Sequence, residues 1–225
     1  YRPQLCTGFF SVNSMLRALS GQSNEEAFMS GYVDGRVVIV TGSGGGLGKE
    51  YALALAAEGA SVVVNDINQD AAQATVDEIT QAGGKAIVND SDITNYDDSL
   101  RAVKQAIDTY GDLHAVVNNA GICRDRMFAS MTEAEWDAVI AVHLKGHFCI
   151  SSHAVHYWRG QSKAGEAVDA RIINTSSGAG LNGSIGQSNY AAAKGGIASL
   201  TLNQSAELGR YGITANALAP SARTS

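Results

Sequence analysis

Short apolar runs alternate with stretches of helical length from Arg36 onward, and this alternation restricts the fold more than any other feature. The six runs are rich in β-branched residues and predict strands at 36–41, 61–66, 85–89, 113–118, 171–176 and 213–218. Most are continuously apolar, as expected for parallel strands that are covered on both faces. The patterns between them predict helices at 47–58, 69–82, 96–110, 132–159 and 188–211. The sequence therefore predicts an α/β fold, a doubly wound parallel sheet of the Rossmann type in three α/β/α layers.

Composition narrows the class of protein further. Of the 225 residues, 25 are glycine and only 2 are proline, which favours tight turns over proline-rich disorder. The net charge of −6 argues against a nucleic-acid partner, and no apolar run is long enough to span a membrane. The scattered Cys6, Cys123 and Cys149 fit neither a disulfide framework nor a zinc site. We therefore expect a cytoplasmic protein with no metal site.

Residues 1–31 do not join the alternation. The first 21 residues contain two arginines and no acidic residue, which is typical of a targeting peptide. A mis-started or vector-derived extension explains them equally well. We predict an N-terminal arm of uncertain role at 1–31 and a single domain at 32–225.

A glycine-rich turn joins the first predicted strand to the first predicted helix, in the sequence Thr41-Gly42-Ser43-Gly44-Gly45-Gly46-Leu47-Gly48. Backbone N–H groups of such a turn can approach a pyrophosphate at the positive end of the helix. Asp66 follows Gly48 by 18 residues and ends the second predicted strand. Its carboxylate can accept hydrogen bonds from both ribose hydroxyls of an adenosine and would repel a 2′-phosphate. The pattern predicts a dinucleotide site that prefers NAD to NADP.

A second group of polar residues lies far downstream. Tyr190 and Lys194 are four residues apart at the start of the last predicted helix, and Ser177 precedes Tyr190 by thirteen residues. The spacing of four places both side chains on one helix face. A nearby ammonium lowers the pKa of a phenol, which can then exchange a proton with an alcohol or a carbonyl. Ser177 can hydrogen-bond the same substrate oxygen, so these residues predict a proton-transfer site.

These motifs resemble, in order and spacing, the short-chain dehydrogenases/reductases over about residues 34–224. The matching segments are Thr41-Gly42-xxx-Gly46-x-Gly48, Asp92-Ile93, Asn118-Asn119-Ala120-Gly121, Ser177, Tyr190-xxx-Lys194 and the stretch from Asn216 to Pro220. The resemblance implies NAD(P)-dependent interconversion of an alcohol and a ketone. It implies that Tyr190 is the general acid/base, that Lys194 lowers its pKa and holds the nicotinamide ribose, and that Ser177 orients the substrate.

The same resemblance implies the residues that bind the cofactor. Asp92 and Ile93 would border the adenine, and Pro220 with the residues after it would touch the nicotinamide. The complete predicted cofactor set is Gly42, Ser43, Gly46, Leu47, Gly48, Asp66, Ile67, Asp92, Ile93, Asn119, Ala120, Gly121, Tyr190, Lys194, Pro220 and Ala222.

Two positions depart from the family pattern. Where family members commonly carry an asparagine that completes a proton relay, this chain has His143, which we include among the candidate catalytic residues. A histidine can maintain the relay with a pH dependence of its own, and a purely structural role in helix packing is the alternative. The Pro-Gly that is common after the sixth strand is Pro220-Ser221 here, which leaves the conformation of that turn open.

The glycine turn, Val64-Asn65-Asp66 and His143 show a looser resemblance to a narrower group of proteins. This group comprises the 3-hydroxyacyl-CoA dehydrogenase part of peroxisomal multifunctional enzymes and the related hydroxysteroid dehydrogenases. The resemblance implies NAD-dependent oxidation of a secondary alcohol in lipid metabolism. Two alternatives stay open, a 3-oxoacyl-carrier-protein reductase, which usually favours NADP, and a non-catalytic NAD-binding scaffold or sensor.

The two longest predicted helices, 132–159 and 188–211, carry apolar or small residues beyond a single stripe. A helix of this kind needs a second surface to cover it, and the charged fraction of 17% is low. Family members pair these helices between subunits, which implies a homodimer or a homotetramer. Complete coverage within one subunit is the alternative.

Family members continue past the sixth strand with a loop that covers the substrate, further helices and a final strand. The resemblance therefore implies that the C-terminal part of the domain is missing from a chain that stops at Ser225. We expect the sequence to hold the complete cofactor site and only part of the substrate site.

Overall fold

The computed structural model of the chain describes residues 31–220 and the short strand Leu5–Cys6. Within these residues, seven parallel strands form one sheet in the order β1-β7-β6-β5-β2-β3-β4. The strands are β1 (Leu5–Cys6), β2 (Val37–Thr41), β3 (Ser61–Asn65), β4 (Lys85–Asn89), β5 (Ala115–Asn118), β6 (Ala170–Thr175) and β7 (Ile213–Leu218). Counted from β2, this is the 3-2-1-4-5-6 strand order of the Rossmann fold, and the predicted fold class is confirmed.

Helices cover both faces of the sheet. They are α1 (Gly46–Ala57), α2 (Gln69–Gln81), α3 (Tyr96–Tyr110), α4 (Glu133–Ile140), α5 (Gly146–Lys163), α6 (Gly178–Asn182) and α7 (Ser188–Leu208). On one face α1 and α2 contribute Leu55 and Ile79 to a first core, and on the other α3 and α5 contribute Val103 and Trp158 to a second. Alternate residues of β2 enter the two cores, which explains why its apolar run is continuous.

The helix predicted at 132–159 is observed as one continuous helical stretch, 133–163, but it is not regular throughout. A π-helical turn, Ala141–Lys145, separates α4 from α5. A π turn widens the helix by a residue and is frequent at functional sites. It changes the direction of the side chains that follow, and His143 lies at its centre. The apolar periodicity continues on both sides of the turn, so the pattern alone does not reveal it.

The predicted N-terminal arm lies outside the described residues except for β1 and Gly31. Leu5 and Cys6 pair in parallel with Ala217 and Leu218 of β7, although no strand was predicted there. In the part of the chain that the structure describes, no helix has the length and apolarity needed to cross a membrane.

The sheet brings the two predicted groups of site residues to a single edge. The strand order reverses between β2 and β5, and a crevice forms at the carboxyl ends of the strands at such a switch point. The glycine turn follows β2 and Asp66 follows β3, while Ser177 lies just beyond β6. Residues far apart in the sequence therefore lie along one crevice.

Candidate functional site

A cleft of about 520 Å³ lies at this edge of the sheet. We call the part around the glycine turn and Asp66 the glycine-turn half, and the part around Ser177, Tyr190, Lys194 and His143 the tyrosine half. Neighbouring strands are about 4.8 Å apart, so the ends of β3 and β6, with two strands between them, are separated by about 14 Å. The residues that line the cleft are Gly42, Gly45, Gly46, Leu47, Asp66, Asn119, Gly121, Ile122, Cys123, His143, Thr175, Ser176, Ser177, Tyr190, Lys194 and Pro220.

Two glycines of the turn are required by close packing. Gly42 has a φ of +63°, and a Cβ there would lie 2.6 Å from the Cα of Ala120. A Cβ on Gly48 would overlap the carbonyl oxygen of Gly42. Asn119 ties the same region together, because its Nδ2 donates to the carbonyl oxygens of Thr41 and Gly42 at 3.1 and 3.2 Å. The turn is held firmly and presents bare backbone to the cleft.

The helix that follows the turn begins without a side-chain cap. α1 starts at Gly46, its preceding residue is Gly45, and no acidic residue lies in its first turn. The free N–H groups and the positive end of the helix dipole attract an anion. This end of the cleft therefore fits the phosphates of a nucleotide.

Asp66 closes the glycine-turn half. Its Oδ2 accepts a hydrogen bond from the Gly44 N–H at 3.0 Å, and its Oδ1 accepts one from the Asn68 N–H at 3.0 Å. A Cβ on Gly44 would lie 2.9 Å from Oδ2, so the glycine allows the carboxylate to approach the turn. Each carboxylate oxygen can accept a further hydrogen bond, and the negative charge disfavours an additional phosphate nearby.

Tyr190 lies in the first turn of α7, where it contacts Ser177 and His143. A hydrogen bond joins the Tyr190 and Ser177 side chains. The rings of His143 and Tyr190 meet edge to face, with their centroids 5.1 Å apart and their planes at 89°. Buried Asn189 fixes the start of α7, since its Nδ2 donates to two backbone carbonyl oxygens, in the loop after β5 and in α4, at 3.1 Å each. Packing therefore sets the position of the tyrosine.

Lys194 is buried beneath this pair, with only 2% of its surface exposed. Its Nζ donates to the carbonyl oxygen of Thr175 at 2.5 Å and lies 5.6 Å from the centroid of the Tyr190 ring. Burial lowers the pKa of Lys194 to about 7, because removal from water disfavours the ammonium. Both protonation states of Lys194 are therefore accessible near neutral pH.

The lowering of the Tyr190 pKa by Lys194 stays a prediction, because burial dominates the net shift. Burial raises the pKa of Tyr190 above its ordinary value, and the hydrogen bond with Ser177 opposes this rise. The surroundings that disfavour the ammonium also disfavour a phenolate, so the Tyr190 hydroxyl keeps its proton at neutral pH.

His143 faces the cleft from the π-helical turn. Its Nε2 lies 3.0 Å from the amide nitrogen of Ile122 and 2.8 Å from its carbonyl oxygen, so the tautomer decides whether Nε2 accepts or donates. Within the described residues, its buried Nδ1 has no hydrogen-bond partner. Burial, assisted by the charge of Lys194, lowers the pKa of His143 to about 4. The ring is therefore neutral at neutral pH, and a role of His143 in a proton relay stays a prediction.

Some predicted cofactor residues do not line the cleft. These are Ser43, Gly48, Ile67, Asp92, Ile93 and Ala120, whereas Ala222 lies outside the described residues. Ser43 and Gly48 are buried and support the turn from behind, and the Ser43 Oγ donates to the Val40 carbonyl oxygen at 2.7 Å. Ile67 is 76% exposed.

Three polar residues that were not predicted as site residues also line the cleft. Thr175 has a buried Oγ1 without a hydrogen-bond partner among the described residues, and the Ser176 Oγ donates to the Lys194 carbonyl oxygen at 2.8 Å. Cys123 lies two residues beyond Gly121. All three follow or end strands at the edge that binds ligands in such sheets, which is the signal that could have identified them.

Comparison with known proteins agrees with the resemblance that the sequence motifs indicate. The family model for short chain dehydrogenases matches residues 36–224. Hydroxyacyl-CoA dehydrogenase ChsB1 of Mycobacterium tuberculosis is 50% identical over 200 residues, which cover 85% of this chain and 62% of that protein. Peroxisomal multifunctional enzyme type 2 of Mus musculus is 42% identical over 198 residues, which cover 84% of this chain and 26% of that protein. The chain thus spans only part of the length of these relatives.

A solved structure agrees with the fold as well. The crystal structure of a short chain dehydrogenase from Mycobacterium avium is 62% identical in sequence, with a TM-score of 0.84. The match covers 86% of this chain and 70% of that one.

Proposed function

The chain belongs to the short-chain dehydrogenase family, and from that premise we propose that it is an NAD-dependent oxidoreductase that interconverts a secondary alcohol and a ketone. The observation that carries the proposal is the meeting of Ser177, Tyr190 and Lys194 with the bare glycine turn in one cleft. The substrate class we propose is a 3-hydroxyacyl-CoA, which the name of the Mycobacterium tuberculosis relative supports. A hydroxysteroid is the second class to be tested.

The residues of the cleft fit a nicotinamide dinucleotide. The uncapped start of α1 and the glycine turn would bind its phosphates, Asp66 would accept from the adenosine ribose, and Lys194 would reach the nicotinamide ribose. When bound, the nicotinamide accepts or donates the hydride.

The tyrosine half would handle the proton. In ketone reduction, the Tyr190 hydroxyl donates its proton to the substrate oxygen, while the Ser177 hydroxyl hydrogen-bonds the same atom. In alcohol oxidation, Tyr190 must first lose its proton, which its burial opposes. A protonated Lys194 beneath the ring favours that loss, and its pKa of about 7 allows it to carry the charge when needed.

A substrate panel tests the proposal. We expect NADH to form when the protein is given NAD and 3-hydroxyacyl-CoA substrates, and the absorbance of NADH measures the rate. Hydroxysteroids are assayed in parallel. Turnover of only 3-oxoacyl-carrier-protein with NADPH would favour the reductase alternative. Nucleotide binding without turnover of any substrate would favour the scaffold alternative.

The cofactor preference has its own test, based on Asp66. We expect NADH to bind at least about tenfold more tightly than NADPH, a difference of about 1.4 kcal/mol, because the carboxylate repels a 2′-phosphate. Asp66→Asn should narrow this gap in calorimetry. Asp70→Asn, an exposed acid in the first turn of α2, is the matched control and should leave it unchanged. Equal affinities of the wild-type protein would refute the preference.

We also infer a homodimer or a homotetramer. α4 and α7 contact each other, and each leaves an apolar side chain partly exposed, Trp136 at 37% and Leu202 at 43%. A second copy of the chain would cover these residues. A monomeric mass in light scattering at micromolar concentration would contradict the inference.

A further inference from the structure

The cleft contains a thiol that the proposed reaction does not use. Cys123 lies in the loop after β5, lines the cleft and is exposed. Cys123 lines the same cleft as Tyr190 and Lys194 and therefore belongs to the tyrosine half, where the charge of Lys194 acts on its pKa. Cys149 differs, since it is fully buried in α5. Because a substrate must enter the cleft, Cys123 has to remain reachable in an assembled protein.

Two buried polar atoms at the same cleft point to a ligand. The Nδ1 of His143 and the Oγ1 of Thr175 have no hydrogen-bond partner among the described residues, and these residues are only 2% and 7% exposed. Buried polar groups in folded proteins are nearly always paired. A ligand that offers these atoms a partner, such as a carbonyl-containing compound, would share the space that Cys123 lines.

We propose that Cys123 is a covalent site for α,β-unsaturated carbonyl compounds that bind in the tyrosine half of the cleft. The sulfur forms a bond to the β-carbon, the carbon–carbon π bond breaks, and the thiol proton is transferred to the α-carbon. No oxidant or reductant is consumed. A 2-enoyl thioester is the member of this class that we expect to bind, because it differs from a 3-hydroxyacyl thioester only by loss of water. This choice of ligand rests on the proposed function.

The surroundings of Cys123 favour a reaction that requires prior binding. Burial and Asp125 raise the pKa of Cys123, while Lys194 and Arg124 oppose the rise. The side chain is therefore mainly a thiol at neutral pH and reacts slowly with dilute reagents. A compound held in the cleft gains in effective concentration, which offsets this low reactivity. The rate of modification should increase as the pH rises and the thiolate fraction grows.

The test uses the full chain in a Cys6→Ser background, treated separately with N-ethylmaleimide and with crotonyl-CoA, a 2-enoyl thioester. Intact mass and peptide mapping locate each adduct, and urea-unfolded protein is the reference for intrinsic reactivity. We expect both probes to modify Cys123 at least about tenfold faster than Cys149 in the folded protein. We also expect the rate with crotonyl-CoA to saturate, as for a reaction that follows binding.

Each remaining outcome contradicts the proposal at a defined point. An unmodified Cys123, or modification of Cys149 at the same rate, overturns the site itself. If only N-ethylmaleimide modifies Cys123, the proposed ligand class is wrong. The ligand class is also wrong if crotonyl-CoA modifies Cys123 at a rate that does not saturate with its concentration. Turnover of 3-hydroxyacyl-CoA is measured separately, so failure of the proposed function remains distinguishable. After treatment with either probe, Cys123→Ser should turn over 3-hydroxyacyl-CoA at the same rate as untreated Cys123→Ser. The treated wild-type protein should lose most of its turnover rate.

Discussion

The two halves of the cleft are built by different means. In the glycine-turn half, backbone groups and one carboxylate form the surface, and the contacts of Gly42, Asn119 and Asp66 are close and paired. In the tyrosine half, buried side chains have shifted pKa values, as for Lys194 and His143. Binding a nucleotide requires a fixed shape, whereas proton transfer requires groups whose ionisation the protein has displaced. Substitutions should therefore affect binding and folding in one half, and turnover and pH dependence in the other.

The largest expected effect is in the tyrosine half. Tyr190→Phe keeps the ring and its edge-to-face contact with His143 but removes the hydroxyl. Since general acid–base catalysis contributes roughly 10²–10⁴-fold, we expect kcat to fall about 10³-fold. NADH affinity in calorimetry should change less than about twofold. Tyr96→Phe, which removes an exposed hydroxyl on α3, is the control. An undiminished kcat in Tyr190→Phe would remove the basis for the comparison.

A second prediction concerns the pH dependence of stability. The pKa of Lys194 falls from an ordinary 10.5 to about 7 in the folded protein. Below pH 7 Lys194 is protonated in both the folded and the unfolded state, and the folded state bears the full free-energy cost of burying the ammonium. Above pH 7 the folded state loses this proton, whereas the unfolded state keeps it up to the ordinary pKa. The free energy of unfolding should then rise with pH, by about 1.4 kcal/mol per unit at most, until the pH reaches the ordinary pKa.

Lys194→Met has no titratable group at this position. The difference in stability between the wild-type protein and this variant, followed against pH, therefore isolates the contribution of Lys194. Urea unfolding between pH 6 and pH 9 should show the wild-type protein gaining on the order of 2 kcal/mol relative to the variant. Loss of the hydrogen bond to Thr175 shifts all values equally, so the slope is the informative quantity. Lys104→Met, at an exposed position in α3, should follow the wild-type slope. Parallel curves for Lys194→Met and the wild type would show that burial does not displace this pKa.

The glycine-turn half should respond in the opposite way. Gly48→Ala places a methyl group against the carbonyl oxygen of Gly42 and 2.5 Å from the Nδ2 of Asn119. We expect a loss of about 1–2 kcal/mol in stability and a roughly tenfold loss of NADH affinity. In Gly45→Ala the new Cβ meets nothing within 4 Å and the backbone is extended, so stability should be kept. If Gly48→Ala lowers kcat at saturating NADH by a larger factor than it lowers NADH affinity, the division between the two halves fails.

The same division explains what could be predicted from the sequence. The strands at 85–89 and 213–218 and the helix at 96–110 were predicted to the residue, because periodicity and caps are local signals. The glycine spacing likewise reports a local turn. The π-helical turn was missed because the apolar pattern continues through it. The pKa values of Tyr190 and Lys194 depend on burial by distant elements, which the spacing of four residues does not contain.

The smallest expected effect is at His143, and it tests whether the tyrosine half acts through charge or through neutral hydrogen bonds. Burial lowers the pKa of His143 to about 4, so the ring is neutral throughout the assay range. His143→Asn keeps a neutral polar group, and we expect kcat to fall only about threefold, with a similar KM and an unshifted pH–rate profile between pH 6 and pH 9. His143→Ala, which removes the polar group, should lower kcat by a larger factor.

Stability gives an independent check on the same ring. A histidine whose folded pKa is depressed stabilises the protein above its ordinary pKa of 6.5 and loses that contribution as the pH falls toward 4. The wild-type protein should therefore lose stability relative to His143→Asn below pH 6.5. A kinetic ionisation near neutrality that His143→Asn abolishes would mean that the ring takes up a proton during turnover. The tyrosine half would then change its charge as substrate binds, and its buried groups could not be treated as neutral donors and acceptors.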